Sequence, residues 1–471
     1  MPLSAAVDHT SGSHEDIAAP SQHGAGLYRS LCAGCHGLDL QGGLGSSLIT
    51  DQWRFGGDDE SIATTIRDGR AEIGMPPMGH ALSDDDLREL ILFLREQITG
   101  AGSIRMDPPS PVTDASTLTE LHAFRVEPLT DALETPWAID FLPDGSMLIT
   151  EKEGRLRVVG PDGLRPPISG TPDVWHVGQG GLLDVAVHPD YARNGWIYLT
   201  YSHSPSGDEG MLAVERGRIR DGAWVDREML FSTAPGRLRP GGAQFGSRLV
   251  LDGAGHLYFS VGDRDFPEDA QDLGRPNGKI HRIREDGQVP EDNPFAGRDD
   301  ALSTVWTLGH RNPQGLTLHP LTGELWSTEH GPRGGDELNH IARGANYGWP
   351  RITHGTNYDG TIISEHTQAD GMQQPAMYWT PSLGVCALHV YTGDAFPRWR
   401  HHYFMTSLVR EELRRLEIVE GRVVHEEVIL HGMGRVRDVA TGPDGFLYIL
   451  FNIPDRLVRL VPEATPPHGD S

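Results

Sequence analysis

The chain has 471 residues, with 66 Asp and Glu against 40 Lys and Arg, giving a formal charge of -26. That length predicts two or more domains, and the acidity excludes a nucleic-acid partner, because phosphate contacts need clustered Lys and Arg. The 58 Gly and 34 Pro predict short strands and tight turns, and no run approaches the ~18 apolar residues of a membrane span, so a soluble protein is expected.

Residues 1–23 carry neither a basic segment nor an apolar core and read as a flexible leader, with any export signal absent from this chain. The first motif is Cys32-Ala33-Gly34-Cys35-His36. A C-x-x-C-H string joins a porphyrin through two thioethers, and its histidine supplies an axial imidazole. A structural metal site would need further Cys or His at short spacing, and a thioredoxin-type pair would need a surrounding βαβ pattern. Neither follows. A low-spin haem c takes a sulfur ligand opposite the histidine, and Gly74-Met75-Pro76-Pro77-Met78-Gly79 offers two. Beyond it, Ser83 or a neighbouring Asp caps a helix whose apolar stripe is Leu87, Leu90, Ile91, Phe93 and Leu94.

Residues 24–97 resemble a class I cytochrome c, and the match favours Met75 over Met78. A small all-α cytochrome c domain is therefore expected over 24–99. Covalent haem attachment of this kind occurs outside the bacterial cytoplasm, so the expected location is periplasmic or secreted. The third cysteine, Cys386, reads as a small buried hydrophobe.

Residues 100–118 include Asp107-Pro108-Pro109-Ser110-Pro111, which can neither continue a helix nor join a central strand, and read as an extended linker. From there one theme recurs: an apolar strand, an Asp-Gly or His-Pro turn, and an aromatic-rich strand. It runs through Asp144-Gly145, His188-Pro189, Asp252-Gly253, His319-Pro320, Gly393-Asp394 and Asp444-Gly445. Six irregularly spaced copies predict an all-β six-bladed propeller over 119–464, with functional loops converging at one mouth of its axis. Residues 465–471 are a tail.

Residues 136–461 look like the soluble PQQ-dependent aldose sugar dehydrogenases, a family related to the soluble glucose and sorbosone dehydrogenases. The matching strings are Gly178-Gln179-Gly180-Gly181-Leu182-Leu183-Asp184, Gly309-His310-Arg311-Asn312-Pro313-Gln314-Gly315, Glu329-His330-Gly331-Pro332-Arg333-Gly334-Gly335-Asp336-Glu337, Asn346-Tyr347-Gly348-Trp349-Pro350 and Arg435-Val436-Arg437-Asp438. Pyrroloquinoline quinone (PQQ) is a planar tricarboxylate, so its site needs cations, amide donors and a hard metal on the quinone oxygens. Arg435 and Arg437 alternate with Val436, which on a strand points both guanidiniums to one side. Read alone they are a surface pair answering Asp438; by resemblance they hold cofactor carboxylates. The resemblance further implies that Gln179, Arg311 and Asn312 touch PQQ and that Tyr358 packs near its ring. It also implies one calcium on the carbonyls of Gly331 and Pro332, and a second, structural calcium near Glu337 and Tyr347.

Two positions depart from the family. Its general-base histidine, in a string His-Phe-Gly-Gly-Arg-Leu, is replaced in Gln244-Phe245-Gly246-Ser247-Arg248-Leu249, and glutamine takes no proton near neutral pH. A cofactor-contacting lysine is replaced in Ser407-Leu408-Val409, with Arg410 adjacent. Asp263, His176 and Asp184 are candidate substitute bases, and Gln244 is left to orient substrate. Catalytic expectations thus fall on Gln244, Arg311 and Asp263. The expected activity is oxidation of an aldose or related hydroxyl or aldehyde substrate with PQQ and calcium, electrons passing to the haem and on to a downstream acceptor. The alternative is an electron-relay or ligand-binding fusion whose dehydrogenase activity has been lost.

Overall fold

The computed structural model describes residues 22–36, 40, 46–48, 53–70, 75–79, 81–101, 116–358 and 360–463. The leader up to residue 21, residues 102–115 of the linker, the tail and the side chain of Cys35 lie outside the described residues. Two compact units meet in sequence at Ser103 and Ile104.

The first unit is helical. Helix α1 (Gln22–Leu27) runs through a π-helical turn, Tyr28–Cys32, into α2 (Ala33–His36); α3 (Asp59–Asp68) and α4 (Asp84–Ala101) follow. Ser83 caps α4 reciprocally: its Oγ accepts from the Asp86 N–H at 3.1 Å while its own N–H donates to Asp86 Oδ2 at 3.0 Å. The apolar stripe read from the sequence is buried, and Leu87, Leu90, Ile91, Phe93 and Leu94 pack with Tyr28, Ile62 and Ile66. Helix α1 approaches α4 so closely that a Cβ on Gly24 would lie 2.4 Å from the Glu89 carbonyl oxygen. Glycine is what lets these backbones touch.

The second unit is a six-bladed β-propeller of antiparallel sheets. Blade one spans strands Pro136–Phe141, Met147–Glu151, Arg155–Gly160 and Gly163–Leu164. Blade two holds Leu182–Val187, Ile197–His203, Glu209–Arg220 and Ala223–Phe231; blade three Leu249–Leu251, His256–Val261, Lys279–Arg284 and Val305–Leu308. Blade four holds Pro313–Leu318, Leu325–Glu329, Asp336–Ile341 and Met377–Trp379; blade five Val385–Val390, Tyr403–Ser407, Glu412–Val419 and Arg422–His431. Each predicted hairpin is the inner pair of one blade, as in the Leu249↔Phe259 to Leu251↔Leu257 register of blade three.

Blade six closes the ring. Its strands Arg435–Thr441, Leu447–Asn452 and Arg456–Glu463 are completed by Ala123–Thr130, from the start of the unit, which pairs with Arg456–Glu463 from Ala123↔Glu463 to Thr130↔Leu457. Closure leaves no long unpaired edge. The inner strands are buried on both faces and read as apolar runs, such as Leu182, Leu183 and Val185.

Polar exceptions in this wall knit the blades together. Buried Arg248 donates from Nη1 to Asp184 at 3.0 Å and to Asp438 at 3.1 Å, and from Nε to the Gln314 carbonyl at 3.1 Å. Its guanidinium also lies 4.6 Å from the centre of the Trp137 ring. One side chain thus joins five of the six blades. No helix among the described residues is long and apolar enough to cross a membrane.

Candidate functional site

In the helical unit, Cys32 is partly buried on the turn between α1 and α2, and His36 ends α2 with its Nδ1 2.7 Å from the Ser46 carbonyl. That contact fixes the ring and leaves Nε2 for an axial bond. Met75 and Met78 are partly buried, and both pack on the same apolar cluster as Cys32, Leu48 and Trp53. Met75 is held by paired backbone bonds to Arg70 at 2.8 and 3.1 Å. A thiol and two thioethers on one apolar cluster, with an oriented imidazole, fit a haem c.

In the propeller, the predicted residues collect where the inner strands begin. The backbone N–H of Gln244 donates to Gln179 Oε1 at 2.9 Å, and Asn312 Oδ1 accepts from the Gly246 N–H at 3.0 Å. Asp263 donates its N–H to the Arg311 carbonyl at 2.7 Å. Arg311 donates from Nη1 to the carbonyls of His330 at 3.2 Å and Gly331 at 2.7 Å, and its guanidinium lies 5.5 Å from the Trp349 ring centre. Gln179, Gln244, Arg311 and Asn312, from three inter-blade junctions, and Asp263, from a loop within blade three, are therefore one contact set. Strain concentrates here: Gln244, Ser247, Arg264 and Asp265 all have positive φ, with Ser247 at 107°. Non-glycine residues rarely adopt such values, and they gather at functional sites.

Arg437 sits across the mouth on blade six. Its Nε donates to Asn452 Oδ1 at 3.0 Å, and its Nη1 to Gln314 Oε1 at 3.2 Å and Cys386 Sγ at 3.5 Å. All three acceptors are neutral. Asp438 is turned the other way, to Arg248 and to the N–H of Ile139 at 2.9 Å, so Arg437 does not answer it. Successive residues on a strand face opposite sides. Cys386 is fully buried, as expected. Lys152, which the sequence reading missed, donates from Nζ to the Gly178 carbonyl at 2.7 Å; burial, and then the Arg437 charge, lower its pKa. Arg410 meets the charges of Glu412 and Arg414 on blade five, while Val409 is partly exposed.

The three candidate bases fare differently. Asp184 belongs to the Arg248 cluster and also accepts from the Leu249 N–H at 2.6 Å; burial pushes it up to about 7. Asp263 is 1% exposed, with Oδ2 taken by Trp349 Nε1 at 2.7 Å and Oδ1 by the Asp265 N–H at 3.0 Å. Burial raises it to about 6. His176 is exposed and lies near Lys152, whose charge joins burial in lowering its pKa. The side chain that Gln244 touches is another: its Nε2 donates to Asp265. No spacing rule marked Asp265, because the link crosses from one blade junction to the next strand's loop.

Beside Arg311 lies a small cavity lined by Glu329, Gly331, Pro332, Glu337 and Tyr347. A Cβ on Gly331 would fall 2.3 Å from the Gly335 backbone, so only glycine permits this fold of the loop. The Gly331 carbonyl accepts from Arg311 and the Pro332 carbonyl from Ser382 Oγ at 2.9 Å, and each carbonyl oxygen keeps a second lone pair. Glu337 is pushed up to about 8 by burial and then by the Glu329 charge. Glu329 is occupied by His310 Nδ1 at 2.7 Å and by the Arg311 N–H, so the half-buried Glu337 carboxylate and the two carbonyls are the oxygens that fit a hard divalent cation. No cluster of three or more His, Cys, Asp or Glu side chains among the described residues does so. Tyr347 donates its hydroxyl to the His340 carbonyl at 2.6 Å, so its backbone is what remains for a cation. Tyr358 is 66% exposed on the loop after blade four's third strand, and Arg435 opens blade six's inner strand.

Residues 133–459 match the glucose/sorbosone dehydrogenase family, and residues 19–94 match the cytochrome c oxidase, cbb3-type, subunit III family. The chain is 42% identical over 332 residues to the aldose sugar dehydrogenase YliI of Escherichia coli, covering 69% of this chain and 89% of that protein. It is 31% identical over 265 residues to the quinoprotein glucose dehydrogenase B of Acinetobacter calcoaceticus, covering 50% of this chain and 54% of that protein. The crystal structure of the soluble aldose sugar dehydrogenase of Escherichia coli, in its apo form, superposes with a TM-score of 0.68 at 38% identity, over 72% of this chain and 100% of that one.

Proposed function

The chain belongs to the glucose/sorbosone dehydrogenase family, and from that premise we propose that it is a periplasmic quinohaemoprotein dehydrogenase. Residues 119–464 would oxidise an aldose or a related hydroxyl or aldehyde substrate with PQQ and calcium, and residues 24–99 would carry a covalent haem c.

One observation carries this reading. In a chain with a charge of -26, carboxylates face the buried arginines Arg248, Arg282 and Arg415, while buried Arg264 is clamped to two carbonyls of its own blade junction. Arg437 and Lys152 are given only neutral acceptors, and Arg311 donates to carbonyls. Desolvated cations without a bound counter-charge are costly, and a polycarboxylate ligand at this mouth supplies the missing charge.

PQQ held there would supply a two-electron hydride acceptor. Arg437 and Lys152 would hold its carboxylates, Gln179 and Asn312 would offer amides, and Arg311 would place a cation where the quinone oxygen gains charge. Gly331, Pro332 and Glu337 would hold calcium. His36 and Met75 would ligate the haem iron, with Cys32 and Cys35 as its thioether anchors. Haem iron carries one electron at a time, and tethering it to the propeller raises its effective concentration as acceptor.

The test is anaerobic addition of PQQ and calcium to haem-loaded protein, followed by haem absorbance as aldoses and aldehydes are supplied. Substrate-dependent haem reduction is expected. Absence of tight, calcium-dependent PQQ uptake would overturn the reading in favour of a scaffold or relay.

A further inference from the structure

The replacement of the family's base by Gln244 leaves a chemical gap, and the structure fills it from a neighbouring loop. Gln244 is 7% exposed and donates its amide to Asp265 Oδ1, while its own Oε1 is buried without a hydrogen-bond partner. Asp265 is exposed, and its second oxygen has no hydrogen-bond partner among the described residues.

Asp265 is not a free surface carboxylate. Its N–H is tied to Asp263 at 3.0 Å, and the preceding residue, Arg264, is 1% exposed, clamped to the carbonyls of Ala243 and Gly241 and stacked 3.7 Å from the Phe245 ring centre. Consecutive positive φ values of 62° and 61° at Arg264 and Asp265 turn the arginine inward and leave the aspartate at the mouth. Such strain persists only where surrounding contacts over-determine it. Asp263 cannot serve in its place, because both its oxygens are engaged and buried.

Building on the dehydrogenase reading, we propose that Asp265 is the proton acceptor for the substrate hydroxyl. Gln244 Nε2 holds its carboxylate in place. In this step the substrate C–H bond breaks and its two electrons leave as hydride to the quinone. The O–H proton passes to the Asp265 carboxylate, and a carbonyl forms. A carboxylate within hydrogen-bond reach of the hydroxyl is a competent general base.

The experiment compares wild type, Asp265→Asn and Asp265→Ala as full-length, haem-loaded proteins with PQQ and calcium. Two readouts run together: PQQ affinity from quenching of tryptophan fluorescence, and the rate of substrate-dependent haem reduction. Both variants should bind PQQ within about threefold of wild type and reduce haem roughly 10² to 10⁴ times more slowly, the usual loss for a general base. Added formate should restore part of the rate in Asp265→Ala, which a structural role would not permit. Unchanged haem reduction in Asp265→Asn, or a loss matched by weakened PQQ binding and not rescued by formate, overturns the assignment while the dehydrogenase reading stands. A wild type that binds no PQQ or reduces no haem overturns that reading, and this assignment with it.

Discussion

Replacing Arg437 by methionine removes a guanidinium whose protein partners are the oxygens of Asn452 and Gln314 and the sulfur of Cys386. Gln314 Oε1 keeps the Cys386 thiol at 3.3 Å, and Asn452 keeps its bond to the Pro136 carbonyl at 2.9 Å. The folded state should therefore lose only about 1 to 2 kcal/mol, one or two ordinary hydrogen bonds. Cofactor binding should lose more, because a charge-assisted bond to a carboxylate contributes about 1.5 to 3 kcal/mol. At about 1.4 kcal/mol per tenfold change, PQQ should bind roughly 10 to 150 times more weakly. Fluorescence titration with calcium present measures this directly, with Arg459→Met as control, because Arg459 is paired with Glu127 at 2.6 Å outside the mouth. A change of less than threefold at Arg437, or an equal change at Arg459, would refute the placement of the cofactor carboxylates.

Arg248→Met strands the buried Asp184 and Asp438 together at the propeller axis; breaking such a cluster typically costs about 3 to 5 kcal/mol, readable in urea unfolding, and Asp438→Asn in the same background should recover part of it. Lys279 is fully buried against the carbonyls of Asp269, Ala270 and Asn277 at 2.8 to 2.9 Å, and burial lowers it from 10.5 to about 7. Between those values the unfolded chain holds a proton that the folded one lacks, so this group's stabilisation is present above pH 10.5 and is lost as pH falls to 7. Urea unfolding across that window should show a slope contribution of up to about 1.4 kcal/mol per pH unit that Lys279→Met abolishes. Ser83→Ala should destabilise the helical unit by about 0.5 to 2 kcal/mol through loss of the α4 cap, seen as a lower melting temperature of the haem absorbance band.

The sequence by itself determined what is local. A strand, an Asp-Gly or His-Pro turn and a return strand are encoded within about fifteen residues, so the inner pairs of all six blades were legible. So were the capped α4 and the C-x-x-C-H string, whose chemistry follows from spacing along one turn of helix. The neutral setting of Arg437 was not legible, because its acceptors come from blades four, five and six. Closure of blade six by Ala123–Thr130 against Arg456–Glu463 joins segments more than 300 residues apart, a pairing no local pattern marks. The same holds for Lys152 and Asp265. Each looks like an ordinary surface polar residue in sequence, and the closed ring decides its role by bringing it against Gly178 or Gln244. Burial then withholds water from the Lys152 ammonium while Asp265 stays exposed beside Gln244, and both settings are products of tertiary packing alone.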